Sequence, residues 1–192
     1  MFMTVRFTSA LLLLVAMALA GCAAAPLDMY RDANMDFGAV RTVAILPLAN
    51  LTRESSAAER VRDVFGTALL ATGSLYVIPP GEVARGLNRV GVANPAAPST
   101  EEAIKLAAVI KADAIITGTI KEYGEVRSGS SAANVISLSM QLIEAQTGKL
   151  VWTASTTKGG IGISDRLFGG GGEAMNTITV KAIDEIIGKL FQ

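Results

Sequence analysis

Few residues in this 192-residue chain could carry chemistry. Cys22 is its only thiol, and histidine is absent. Those two facts exclude Ser-His-Asp and Cys-His nucleophiles and leave zinc without its usual nitrogen and sulfur ligands. Glu122, Glu125 and Glu144 are the carboxylates that could pair as a glycosidase acid and base. That reaction needs two carboxyl groups at a fixed separation in a cleft, whereas these fall on expected strands and turns, where carboxylates are solvated. Asp28, Asp32 and Asp36 are spaced by four but lack the glycine turn and crowded oxygens of a calcium loop. The segment "GGIGISDRLFGGGGEAMN", 159–176, invites comparison with a phosphate-binding loop. Its glycines Gly169 to Gly172 lead into Glu173, not into the lysine and hydroxyl residue that hold phosphate. No metal, cofactor or catalytic activity is expected.

Cys22 is left as the reactive position, and its setting is informative. One positive charge, Arg6, precedes an apolar run from Ala10 to Ala20, and Gly21 separates that run from the cysteine. This is the layout of a secretory signal, and the run is too short for a membrane-spanning helix of roughly 20 residues. Leu19-Ala20-Gly21-Cys22 resembles the lipobox of bacterial lipoproteins. The resemblance implies cleavage before Cys22, a diacylglycerol on its sulfur and an acylated new amine. Two or more acyl chains hold a protein stably on a membrane, since each buried CH₂ adds about 0.8 kcal/mol. Ala23 stands where an aspartate would signal inner-membrane retention, so the resemblance also implies the outer membrane, on its periplasmic face.

The chain carries 17 basic and 17 acidic residues. Loss of residues 1–21 removes only Arg6 from that balance, leaving a near-neutral protein without the basic field that nucleic-acid binding requires.

The elements that must position the rest follow from periodicity. Residues 22–38 read as a lipidated linker, and 39–192 as a single domain with a sizeable core. "VRTVAILPLA", 40–49, is a β-branched strand ended by Pro47. A helix follows, with Ala57, Val61, Val64, Phe65 and Ala68 on its inner face. "LYVI", 75–78, is a short strand, and "GEVARGLNRV" a short helix with Val83 and Leu87 inward. Ser99 and Glu102 form a capping box for a helix whose inner face is read as Ile104, Ala107, Ala108 and Lys111. "DAIITGTIKEYGE", 113–125, is a strand, and "RSGSS" a turn. In "ANVISLSMQLIEA" the apolar Ile136, Leu138, Met140 and Leu142 alternate with polar residues, a half-buried strand. "QTGK" turns it into "LVWTASTTK", where Trp152 reads as core. The last helix runs from about Glu173 to Leu190, with Ile178, Ala182, Ile183, Ile186, Ile187 and Leu190 inward. This order predicts an α/β (α+β) fold: one mixed sheet with helices packed on it. In the glycine-rich loop, Leu167 and Phe168 either fold back over the sheet or contact a partner or the membrane surface.

"VAILPLANLT", "ADAIITGTIKEYGE" and "SLSMQLIEAQTGKLVWTAS" resemble blocks of the CsgG-type family of bacterial lipoproteins. The plan is also similar to the peptidoglycan-synthase activator LpoB, to the N-terminal domain of TolB, and to outer-membrane lipoproteins of unknown function from Neisseria. The resemblance implies a non-catalytic periplasmic domain that binds an envelope protein or forms homo-oligomers, the alternative being a secretion-channel subunit. CsgG spans its membrane with long hairpins. The corresponding segment here, "GEVRSGSSAA", offers about ten residues, where each spanning strand needs about 9–11.

Overall fold

Alternation and β-branching put the strands where the side chains demand them. The computed structural model describes residues 28–129, 131–161 and 172–192. In chain order the elements are β1 (Met29–Arg31), a 3-10 turn (Phe37–Ala39), β2 (Thr42–Ile45), β3 (Ala49–Asn50), α1 (Ala57–Ala71), β4 (Tyr76–Val77), α2 (Pro80–Val90), α3 (Thr100–Ile110), β5 (Ala114–Ser128), β6 (Ser131–Glu144), β7 (Leu150–Gly159) and α4 (Met175–Leu190). The strands form one mixed seven-stranded sheet in the order β1-β7-β6-β5-β2-β4, with β3 also on β5. The pairs β2–β4, β2–β5 and β3–β5 are parallel, while β5–β6, β6–β7 and β1–β7 are antiparallel. The expected fold class is therefore the observed one.

Helices cover the parallel half on both faces, which is why its strands read as continuous apolar runs. Val43 and Ile45 of β2 and Ala114 and Ile116 of β5 pack with Val61, Phe65 and Leu69 of α1 and Ile183 and Ile186 of α4. The alternate residues Ala44, Leu46 and Ile115 pack with Val83 and Leu87 of α2 and Ala103, Leu106 and Ala107 of α3. Among the described residues, β6 and β7 are covered on one face only. Ile136, Leu138, Met140 and Leu142 are buried while Ser137, Ser139 and Gln141 are not, and Trp152 is wholly buried as core.

Three local expectations need correction. Pro47 interrupts the first strand without ending its pairing, since Ala49 and Asn50 rejoin β5 opposite Thr119 and Ile120. The inner face of α3 is Ala103, Leu106 and Ala107; Ala108 is exposed, Ile104 only half-buried, and Lys111 lies past the end of the helix in a left-handed conformation. A helix that is apolar almost all round has no single stripe to read, and the choice falls to α2, whose Gly86 lets Ile110 and Leu106 approach closely. The third correction concerns residues 29–38, which read in the sequence as linker. Met29, Tyr30 and Arg31 instead pair with Ala154, Thr153 and Trp152 and form one edge of the sheet.

Candidate functional site

A cluster of side chains holds the edge strand β1 in place. Asp28 accepts a hydrogen bond from Lys189 Nζ at 2.6 Å, and the same ammonium donates to Glu185 at 2.6 Å and to the Ser155 carbonyl at 2.9 Å. Glu185 also pairs with Lys158. Three residues along, Arg31 lies 3.6 Å from the Phe37 ring centroid and donates to the Leu190 carbonyl at 2.7 Å. The Trp152 indole donates to the Lys189 carbonyl at 3.2 Å. The last carbonyls of a helix have no partner of their own, so Arg31 and Trp152 complete the C-terminus of α4 while fastening β1 to it.

The electrostatics of this cluster are those of a clamp. Partial burial pushes the Glu185 carboxyl up, but hydrogen bonds from Lys158, Lys189 and Thr156, with the Lys189 charge, outweigh it and hold the pKa at about 2. Burial likewise favours neutral Lys189, yet Asp28 and Glu185 raise its pKa above the ordinary lysine value. Both groups stay charged at neutral pH, and neither is poised to move a proton.

At the end of the sheet where the chain enters, β5 and β6 run on as a ribbon. Their pairing continues to Ser128 opposite Ser131, with a bulge between Ile120 and Glu122. β3 leaves β5 at Ile120, and β7 leaves β6 at Val135. The strands thus run into the turn expected at 127–131, taking in Arg127, Ser128 and Ser131, and among the described residues the outer part of the ribbon has no third strand beside it. The glycine-rich segment begins and ends against this ribbon. Asn134 accepts from the Gly160 amide at 2.8 Å, and its side-chain amide donates to the Glu173 carbonyl at 2.9 Å. Gly159 has φ +80°, and a Cβ there would lie 2.1 Å from the Asn134 carbonyl oxygen, so only glycine fits. Between the ribbon and the start of α1 lies an open cleft of about 730 Å³, lined in part by Leu51, Arg53, Arg60, Lys121, Glu122 and Tyr123.

The sequence candidates divide clearly. Cys22, Leu167 and Phe168 lie outside the described residues. Glu125 pairs with Arg127 at 2.6 Å. Glu144 accepts from the Thr147 hydroxyl beside Ala114, at the far end of β5 from Glu122 and Glu125, and so cannot pair with either across a cleft. The three spaced aspartates take separate structural tasks: Asp28 holds Lys189, Asp32 accepts from the Asn34 amide, and Asp36 accepts from the Gly38 amide. Among the described residues, no three Cys, Asp or Glu side chains gather as a metal site. The clamp of Asp28, Lys158, Glu185 and Lys189 escaped sequence reading because Asp28 and Lys189 lie 161 positions apart.

Comparison with known proteins places this arrangement. Lipoprotein GNA1162 from Neisseria meningitidis is similar at 18% identity and a TM-score of 0.56, covering 79% of this chain and 98% of that one. A PelC dodecamer variant from Paraburkholderia phytofirmans is similar at 18% identity and a TM-score of 0.55, covering 79% and 88%. The LpoB C-terminal domain from Salmonella enterica is a weaker likeness, at 17% identity and a TM-score of 0.48, covering 66% and 87%. At these identities the likenesses speak to fold alone. No curated protein matches the chain. A family model described as "Putative lipoprotein GNA1162-like" matches residues 33–189. The family name is therefore GNA1162-like, in place of the CsgG and TolB names that the sequence blocks suggested. Since that match spans nearly the whole described fold, the chain belongs to the GNA1162-like lipoprotein family.

Proposed function

We propose that this protein is an acylated lipoprotein of the bacterial envelope that binds or assembles other envelope proteins without catalysing a reaction. Residues 1–21 are the leader, Cys22 carries the lipid, and the domain sits on the periplasmic face of the outer membrane. The observation that carries this reading is membership of a lipoprotein family whose matched region starts at residue 33, shortly after a cysteine in a lipobox-like setting. Two of the three carboxylates that could have carried catalysis support it, Glu125 being held in an ion pair and Glu144 by a turn hydroxyl. Replacement of Cys22 by alanine tests the anchor: the domain should leave the membrane fraction for the soluble periplasmic one. An unchanged membrane fraction would refute the reading. Leu167 and Phe168 are proposed as a partner or membrane contact. Phe168→Ser should then weaken partner capture, by crosslinking in intact cells, with little loss of thermal stability.

A ring-forming subunit is the second reading. It is favoured by the likeness to PelC, which was solved as a dodecamer. Leu70 and Tyr76 are 52% and 59% exposed near the short β4 edge, where a neighbouring copy could cover them. Mass in detergent separates the readings, a monomer without ion conductance excluding a channel.

A further inference from the structure

The point where the chain enters the sheet can be compared with the reach of the β5–β6 ribbon. The Ser155 amide donates to the Asp28 carbonyl, and in the sheet register Ser155 stands beside Ser139, which stands beside Thr119. Asp28 and Thr119 therefore lie at one level across the strands. From that level β5 continues to Ser128, a length of about 30 Å at roughly 3.3 Å per residue. β1 is antiparallel to β7, so the residues before Asp28 lead off toward the same end as the ribbon tip. From Cys22 to Asp28 the chain spans at most about 20 Å even when fully extended. The ribbon thus outreaches the tether by about 10 Å, as the difference of these two lengths.

We propose that the outer part of this ribbon rests in the headgroup layer of the membrane that holds the protein. The inference depends on the reading that Cys22 is acylated, and its occupant is the lipid surface of the anchor's own leaflet. A tether shorter than the ribbon leaves the tip no room to stand upright above that surface. Either the ribbon stands upright and its tip enters the interface, or the domain tilts and lays the ribbon along it. The side chains suit this layer. Val126 is 37% exposed near the tip, followed by Ser128 and Gly129, with Ala132 on the returning strand. The charges beside them, Arg127 and Glu125, neutralise each other in a 2.6 Å pair. The overshoot of about 10 Å is far short of the roughly 30 Å hydrocarbon core, so the ribbon dips into the interface and does not cross it.

The test uses the full, acylated chain. Acylation consumes Cys22, so Ser128→Cys supplies one free thiol for an environment-sensitive fluorophore. Gln146→Cys, in the exposed β6–β7 turn at the opposite end of the sheet, is the control. Each labelled protein is reconstituted into phosphatidylethanolamine–phosphatidylglycerol vesicles, with or without nitroxide-bearing phospholipid, and floated on a density gradient. The expected result is flotation of both, with a blue shift and nitroxide quenching of the Ser128 label and neither at Gln146. Flotation with a water-exposed, unquenched Ser128 label overturns the inference and leaves the acylation reading standing. A blue-shifted label that lipid nitroxide does not quench also overturns it, because a second copy or another protein then covers the tip. Failure to float defeats the acylation reading and this inference with it.

Discussion

Glu185 shows how much of this fold hangs on single side chains. Its carboxylate receives Lys158 and Lys189, and through Lys189 it is joined to Asp28 at the start of the edge strand. Its pKa is held at about 2, below the ordinary value of 4.5. A depressed carboxylate contributes stability above its unfolded pKa and loses it as pH falls through the folded one. Glu185→Gln should therefore destabilise the domain at pH 7 by on the order of 2 kcal/mol, allowing for solvent screening. The difference from the unsubstituted protein should vanish between about pH 4.5 and pH 2. Denaturant melts across that range measure it, and a difference that is flat with pH would mean the carboxylate is not coupled to folding. Gly159 makes a purely steric demand. Gly159→Ala would force the Asn134 carbonyl away and should lower the melting temperature, whereas alanine at Gly91, with open space around it, meets only backbone strain. The glycine-rich composition was visible in the sequence. Which glycine is sterically required depends on a contact with a strand 25 positions upstream, which no local pattern carries.

At the scale of elements, the caps were readable and the faces less so. The Ser99 hydroxyl accepts from the Glu102 amide at 3.3 Å, and the Glu102 carboxylate accepts from the Ser99 amide at 2.8 Å and the Ala93 amide at 2.9 Å. Those amides hold the Glu102 carboxyl below the usual carboxylate range. Ser99→Ala should cost about 1 kcal/mol in a urea melt. The choice of inner face on α3 can be tested the same way. Leu106→Ala should cost about 2–5 kcal/mol, as burial of a large aliphatic side chain implies, and Ile104→Ala distinctly less. Equal losses would show that the helix packs on both stripes. A capping box is a four-residue local signal and survives in the sequence. The inner stripe of an apolar helix is set by what packs against it, here α2 through Gly86.

For the whole molecule, the sheet is the shared element. β2 and β5 send alternate residues to opposite faces, one beneath α1 and α4 and the other beneath α2 and α3. The two cores should consequently melt together. Phe65→Ala and Leu106→Ala, one on each face, are each expected to lower a single calorimetric transition without splitting it, and two transitions would show independent units. Length and alternation by themselves determined the order of helices and strands, the half-buried character of β6 and the mixed-sheet class, because those signals act over a few residues and survive in any context. The unusual cysteine and the absence of histidine were equally plain in composition. Only the tertiary structure decided that residues 29–31 are an edge strand, that the expected turn near residue 128 is the tip of a long ribbon, and that this tip and the entering chain share one end of the sheet. The reason is physical. A three-residue strand has too little periodicity to register in sequence. What holds it is the ion pair of Asp28 with Lys189 and the bond that Arg31 donates to the Leu190 carbonyl, and both partners stand at the opposite end of the chain and come near only in the folded sheet.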